Sequence, residues 1–337
     1  MIKIIQGNCI DKIKELDNNS IDCVVSSPPY FGLRDYRTAQ WQGGDLNCSH
    51  AYGRNTRGGL TQFQKNNKGN FGDEAIKSGE HCKLCGAKRI DEQFGLEKTY
   101  QDYIANTVKV FETFKPKLKD TATIWWNVGD SYSSGSRKTT TLQTVRKPKS
   151  NEISESKQKY LDGLIVRPPI QTGIKEKDLI MIPNRVAIAL QEAGWYIRSE
   201  IIWHKPNPIP ESIKDRPTSA HEKIWLITKS KKYYYDADAI KEPTTDSYEG
   251  KRGLVKKRNK TQSAMQDRVF NTPYHPSNTR NKRNVWTITT KPFKAAHFAT
   301  FPPDLIEPCI KAGCPEGGVV LDPFSGAGTT GIVAKKF

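Results

Sequence analysis

Short apolar runs of β character alternate along this chain with stretches whose apolar residues recur at helical spacing. That alternation confines the fold to the α/β class, built on a mostly parallel, doubly wound sheet. Residues 2–5 read as a short strand, 9–16 as a helix and Ile21–Ser26 (Ile-Asp-Cys-Val-Val-Ser) as a buried strand. A helix over 100–115 is closed by Pro116, and the apolar run 121–128 (Thr-Ala-Thr-Ile-Trp-Trp-Asn-Val) follows as a strand. Residues 184–193 predict a helix capped by Gly194, then strands over 196–203 and 223–228. A helix over 303–312 leads to a last strand at 319–322 that runs into a Gly-rich turn. At 337 residues the chain can bury a sizeable core as one large domain or two smaller ones.

The remaining stretches lack such periodicity. Residues 34–80 are rich in Gly, Asn and Gln and read as an insertion, and residues 133–169 are polar and basic and read as loop. No run approaches the roughly 20 consecutive apolar residues of a membrane helix, and the N-terminus carries no signal-peptide pattern. A cytoplasmic protein without a membrane partner is expected.

The net charge is +17, from 53 Lys and Arg against 36 Asp and Glu. Such an excess acts on partners rather than on fold and favours a polyanion. A Lys-rich proteome could produce it without purpose, so its distribution matters. Between Lys251 and Arg283 ten basic residues (Lys251, Arg252, Lys256, Lys257, Arg258, Lys260, Arg268, Arg280, Lys282, Arg283) face one acid, Asp267. Threaded with Asn, Thr, Ser and Gln, this cluster suits phosphate contact. The residues expected on DNA are Lys251, Arg252, Lys256, Lys257, Arg258, Arg280, Lys282 and Arg283.

Two motifs carry the chemistry. Ser26-Ser27-Pro28-Pro29-Tyr30 follows directly on a buried strand. Its two prolines remove backbone donors and fix φ, which leaves carbonyls to face a pocket. Ser27 and the Pro28 carbonyl can accept hydrogen bonds from a planar amine while Tyr30 stacks on its ring. A proline-terminated strand entering a loop would look the same, so the pentapeptide alone decides nothing. Leu321-Asp322-Pro323-Phe324-Ser325-Gly326-Ala327-Gly328-Thr329-Thr330-Gly331 places a Gly-x-Gly turn between a strand and a helix, where backbone can approach a nucleotide-like ligand closely. It lacks the Gly-Lys-Ser/Thr of a phosphate loop and the strict spacing of a nicotinamide site.

Together the two motifs resemble those of the exocyclic amino-group DNA methyltransferases. Ser-Pro-Pro-Tyr is similar to that family's catalytic motif, and Asp-Pro-Phe-Ser-Gly-Ala-Gly-Thr-Thr to its cofactor loop. The order, catalytic motif first, is that of the family's beta group, including phage and restriction-modification members. His297-Phe298-Ala299-Thr300-Phe301-Pro302 resembles the segment leading to the cofactor, and Trp203-His204-Lys205-Pro206-Asn207-Pro208 and Asp215-Arg216-Pro217-Thr218 also match. The resemblance covers nearly the whole chain. It implies a Rossmann-like S-adenosylmethionine-dependent methyltransferase fold, a mixed, mostly parallel sheet in permuted order. It further implies a catalytic core of residues 1–33, 95–243 and 285–337, with insertions at 34–94 and 244–284. Ser27, Pro28, Pro29 and Tyr30 would be catalytic. Asp322, Pro323, Phe324, Ser325, Gly326, Gly328, Thr329, Thr330, Asn8, His297, Ala299, Phe301 and Pro302 would bind S-adenosylmethionine.

The implied reaction is methyl transfer to the amino nitrogen of a base flipped out of duplex DNA. In this family Ser before Pro-Pro favours cytosine N4, and Asp favours adenine N6; adenine N6 stays open. A Pro-Cys nucleophile for C5 methylation is rejected, because Pro308-Cys309 falls within a predicted helix, on the wrong side of the cofactor loop and without the expected Gln. A degenerate or split methyltransferase acting as a DNA-binding protein, or an enzyme on RNA or protein-bound amines, are the rivals. A cognate restriction endonuclease is an expected partner.

Two departures stand out. Family members carry Gly-Asp where this chain has Gly7-Asn8. The sequence also stops at Phe337, inside the helix after the cofactor loop, ahead of the strand whose acidic end would hold the ribose. Truncation, a separate C-terminal fragment completing the sheet, or weak cofactor binding are the readings.

Seven cysteines without a secretion signal argue against a disulfide framework. Cys9, Cys23, Cys309 and Cys314 read as small hydrophobes. Cys48-x-His50 and Cys82-x-x-Cys85-Gly86, separated by 31 residues, supply four ligands of the types zinc prefers, in a zinc-ribbon-like insertion. His81 in place of His50 is the alternative, as are incidental thiols. The zinc-tied insertion, residues 133–169 and the basic segment are the candidates for target recognition.

Overall fold

The computed structural model describes residues 1–36, 38–45, 47–48, 81–82, 84–133, 164–165, 173–244, 279–290 and 301–337. Among these the strands in chain order are β1 (Ile21–Ser26), β2 (Arg34–Asp35), β3 (Gln40–Gln42), β4 (Lys88–Ile90), β5 (Leu118–Val128), β6 (Leu164–Ile165), β7 (Tyr196–His204), β8 (His221–Thr228), β9 (Glu242–Pro243), β10 (Thr279–Arg280), β11 (Val285–Thr287) and β12 (Val320–Leu321). The helices are α1 (Cys9–Lys14), α2 (Tyr100–Phe114), α3 (Ile182–Glu192), α4 (Pro303–Gly313) and α5 (Thr329–Ala334). The chain divides into two compact units. One comprises Met1–Pro28, Thr107–Gly129 and Pro183–Phe337; the other comprises Pro29–Asn106 and Asp130–Ile182.

The first unit is built on a six-stranded sheet in the order β11-β7-β8-β5-β1-β12. β1 pairs in parallel with both β5 and β12, and β11 pairs in parallel with β7. β8 alone runs against its neighbours β5 and β7. No helix lies between β7 and β8, so the chain cannot cross over and must return antiparallel. The sheet is therefore mixed and mostly parallel, in the α/β class.

Every residue of β1 is buried, as expected of a strand covered on both faces. The two tryptophans of β5 divide the faces between them, since successive side chains point opposite ways. Trp125 enters a core with Cys23, Val25, Trp203, Ile224 and the α4 residues Leu305, Ile306 and Cys309. Trp126 meets Phe111 edge-on at 5.0 Å, and Phe111 in turn meets Trp195 at 5.3 Å. α4 comes so close to β5 that Thr123 Oγ1 donates a 2.9 Å hydrogen bond to the Gly313 carbonyl.

One expected strand does not form. Residues 2–5 are unpaired, and Ile2 and Ile4 stand exposed. Their alternation needs a neighbouring strand, and among the described residues none lies beyond β12 at that edge. The loop expected over 133–169 lies almost wholly outside the described residues, as does most of the basic segment.

The second unit holds two small antiparallel pairs, β2 with β6 and β3 with β4. Its buried Tyr103 packs against Phe31 and Phe94, with ring centroids 5.7 and 5.0 Å away.

Candidate functional site

Parallel pairing of β1 and β12 aligns Cys23 with Val320 and Val24 with Leu321, so both strands deliver their C-terminal ends to the same edge. That alignment brings together the two motifs, which stand about 300 residues apart in sequence, at the rim of the sheet where parallel α/β folds place ligands. The link is direct. Ser26 Oγ donates to Asp322 Oδ1 at 2.6 Å, Thr330 Oγ1 donates to Asp322 Oδ2 at 2.7 Å, and the Phe324 amide donates to Oδ1 at 3.1 Å. Thr330 also reaches the Val25 carbonyl at 3.3 Å. Burial pushes the Asp322 carboxyl above the ordinary range, against the lowering pull of these three donors. Its side chain thus ties the Gly-rich loop to the end of β1.

Beyond Asp322 the loop turns tightly, with Gly328 N donating to Ser325 O at 2.7 Å. Gly326 and Gly328 have φ of 50° and 76°, the left-handed region that glycine tolerates. A Cβ on Gly328 would meet nothing within 4 Å, and Ser325 and Gly326 are exposed. Such an open backbone fits the close approach of an adenosyl group. Phe324 packs edge-on against Trp126, with centroids 6.0 Å apart, which anchors the loop on the sheet. Thr329 is buried and Pro323 half-buried. Phe301 lines a small recess with Val25, Ser26, Trp125, Asn127 and Leu305, and the buried Pro302 caps α4.

The Ser-Pro-Pro-Tyr segment continues β1 without a break. Ser27 is half-buried and Pro28 buried at its end, and the division between the two units falls between Pro28 and Pro29. In the second unit the Tyr103 hydroxyl donates to the Pro29 carbonyl at 3.2 Å. Burial, with Glu97 adding to it, pushes the Tyr103 phenol well above its usual value, so it stays a donor. Gly95 closes on the same backbone: a Cβ there would stand 2.9 Å from the Tyr30 carbonyl. Gly32 N donates to Gly95 O at 2.8 Å. Tyr103 and Gly95 were not singled out from the sequence, and Ser26 stood in the quoted pentapeptide without a role of its own. Tyr103 lies inside the helix predicted over 100–115, and no local pattern marks Gly95.

Other expected residues are distributed differently. Asn8 is exposed and caps α1, its Oδ1 accepting from Ile10 N at 3.0 Å. His297 and Ala299 lie outside the described residues, as do Lys251, Arg252, Lys256, Lys257 and Arg258. Arg280 and Arg283 are described, and both donate to Glu242 Oε1, at 2.9 and 2.5 Å. Burial acts to raise the Glu242 carboxyl, but hydrogen bonds from Arg283 and Arg280 outweigh it and hold the group below its ordinary range. Lys282 sits over the Trp286 ring at 5.2 Å. Cys309 is buried in α4 with its thiol pushed well above the usual value, first by burial, which suits a packed side chain rather than a nucleophile. Cys23 is likewise buried, whereas Cys9 and Cys314 are partly exposed.

In the second unit the β3–β4 ribbon brings Cys48 next to Cys82 and Cys85, and the three Sγ atoms lie within 4.8 Å of one another. His50 lies outside the described residues. His81 is exposed and does not join the three thiols.

No helix among the described residues is long and apolar enough to cross a membrane. The DNA methylase family N6_N4_Mtase matches residues 21–337. The Type II methyltransferase M.SmaI of Serratia marcescens is 37% identical over 334 residues, spanning 99% of this chain and 82% of that protein. M.Cfr9I of Citrobacter freundii, also a Type II methyltransferase, is 36% identical over 333 residues, spanning 99% of this chain and 79% of its own length. Among solved structures the PvuII DNA methyltransferase, described as cytosine-N4-specific, matches with a TM-score of 0.50 at 15% identity, over 98% of this chain and 76% of that one. That likeness establishes the fold. With the family matched across the sheet, the Ser-Pro-Pro-Tyr segment and the Gly-rich loop alike, this chain belongs to the N6_N4 DNA methylases.

Proposed function

We propose that this protein transfers a methyl group from S-adenosylmethionine to the exocyclic N4 of a cytosine flipped out of duplex DNA. The observation that carries the reading is the Asp322 network, which joins the strand ending in Ser27-Pro28 to the Gly-rich loop. S-adenosylmethionine would supply an electrophilic methyl group on a sulfonium. The chain's own residues supply position. Asp322, Pro323, Phe324, Ser325, Gly326, Gly328, Thr329 and Thr330 form the cofactor surface, with Phe301 and Pro302 beside it.

The amine's lone pair is delocalised into the base ring. Hydrogen bonds from the NH2 to Ser27 Oγ and the Pro28 carbonyl favour a pyramidal nitrogen whose lone pair is available for attack. Tyr30 holds the ring by stacking, as flipped bases are commonly held. With the cofactor bound, its methyl carbon would pass from sulfur to this nitrogen as the sulfur–carbon bond breaks, and the amine would lose its proton to solvent. No covalent enzyme intermediate is required, so orientation and electrostatics supply the rate.

Cytosine is preferred because Ser27, rather than Asp, precedes the Pro-Pro pair. The designation of M.SmaI and M.Cfr9I as Type II methyltransferases supports a restriction-modification role with a cognate endonuclease as partner. Nucleoside mass spectrometry of DNA from cells expressing the chain, beside a Ser27→Ala control, tests the reading. N4-methylcytosine that disappears in the control is expected. N6-methyladenine in its place would overturn the choice of base, and no modified nucleoside from folded protein would overturn the activity.

A further inference from the structure

We propose that Cys48, Cys82 and Cys85 bind a structural zinc ion, a role separate from the methyl-transfer chemistry. The first argument is spacing. Cys48 Sγ and Cys82 Sγ stand 3.7 Å apart. A tetrahedral zinc with ~2.3 Å bonds to sulfur separates its thiolates by ~3.8 Å, whereas a disulfide needs ~2.05 Å. Cys85 Sγ completes a triangle with no pair beyond 4.8 Å.

The backbone around the thiols has the form of a metal knuckle. Cys82 N donates to Ala87 O at 2.7 Å and Gly86 N returns to Cys82 O at 2.9 Å, closing a turn in which Gly86 takes φ of 74°. Leu84 N points at Cys82 Sγ at 3.4 Å, a donor that favours the thiolate. Gly44 packs against the far side: with φ of 75°, a Cβ there would stand 2.7 Å from Cys85 Sγ and 2.8 Å from Ala87 Cβ. Two separate stretches of chain are thus drawn tightly around one sulfur cluster.

The need for a cross-link follows from burial. Between residues 34 and 94, the described residues that are buried are Cys82 and Ala87. An isolated two-stranded ribbon such as β3–β4 is marginal in water without a packed face. A metal bound by three deprotonated thiols supplies the missing free energy, and its binding releases three protons to solvent. Soft thiolate donors at tetrahedral spacing select zinc over magnesium or calcium. The ion's remaining position falls to one further ligand beyond these three.

Metal analysis of the purified full chain tests this directly. About one zinc per chain is expected, released when the thiols are blocked with an organomercurial. Cys82→Ser and Cys85→Ser should lose the zinc, and Cys9→Ser should keep it. The wild-type chain reconstituted with cobalt gives a second readout that does not depend on how the serine variants fold. Intense visible bands of tetrahedral cobalt, with thiolate charge transfer in the near ultraviolet, are expected. Wild-type protein grown with zinc yet lacking it, retention of zinc by the Cys82→Ser/Cys85→Ser double variant, or a cobalt spectrum without thiolate bands would each overturn the proposal.

Discussion

Asp322 accepts three hydrogen bonds on two oxygens, and two of its donors, the Ser26 and Thr330 hydroxyls, belong to residues 0% and 2% exposed. Removing the carboxylate strands those hydroxyls away from water, at a cost of about 1–3 kcal/mol for each unsatisfied group. Thr330 keeps a longer bond to the Val25 carbonyl, so its loss is partial. Asp322→Ala is therefore expected to lower unfolding stability by about 2–4 kcal/mol, read from the urea midpoint, and to abolish methyl transfer because the loop is untied from β1. Asp322→Asn keeps one acceptor oxygen and the shape, and should lose less. The comparison also has a pH signature. A carboxyl raised above its unfolded value contributes stability when protonated, and that contribution is lost as pH rises through the folded pKa. Relative to the non-titrating Asn variant, the wild type should lose ground as pH rises above about 4. A difference that stays flat from acid to neutral pH would mean that burial does not disfavour the charged form.

At the scale of elements, α4 and β5 meet at Gly313 with no room for a side chain. A Cβ on Gly313 would stand 2.3 Å from both Thr123 Oγ1 and Trp125 Nε1. Neither neighbour can yield, since Trp125 is fixed in the core and its Nε1 donates to Thr123 Oγ1 at 3.1 Å. Gly313→Ala must lift the helix end from the sheet, and overpacking of this kind costs about 1–3 kcal/mol or more. A fall of that size in the denaturation free energy is expected; an unchanged midpoint would show that α4 can slide.

The sequence predicts α4 over 303–312 but carries no sign that its last residue must be small, because the constraint comes from a strand about 190 positions away. The same division runs through the rest of the fold. β1, β5, β7 and β8 were legible as apolar runs, and both motifs were legible as local strings. The direction of β8 was not, since it depends on the helix missing before it. Residues 2–5 misled for the opposite reason: alternation records a willingness to pair but not the presence of a partner. The three thiols were legible by spacing, whereas the Ser26–Asp322 link joins residues 296 positions apart and becomes visible only once β1 and β12 are aligned.

At the scale of the whole molecule, a net charge of +17 must act on DNA through particular phosphates if the methyltransferase reading holds. The basic residues divide into two kinds. Arg280 and Arg283 already neutralise Glu242, so each offers less charge to a partner. Lys256, Lys257, Arg258 and Lys260 stand in a stretch from Lys251 to Arg283 whose single acid is Asp267, which leaves the cluster a large uncompensated excess. Each phosphate neutralised contributes about −0.9 to the slope of log affinity against log salt on duplex DNA. Replacing those four residues with Gln should therefore reduce the slope by about 3–4 and weaken binding most at low salt, where counterion release favours the wild type most. Turnover on saturating DNA at low salt should persist, because the Ser27 and Asp322 surfaces are untouched. Arg280→Gln with Arg283→Gln should change the slope less than two free cations would, since Glu242 already holds both guanidiniums. Salt titrations of both variants by fluorescence anisotropy separate the two kinds. A slope unmoved by the fourfold change would assign the basic cluster to solvent and shift the search for phosphate contacts to the other insertions.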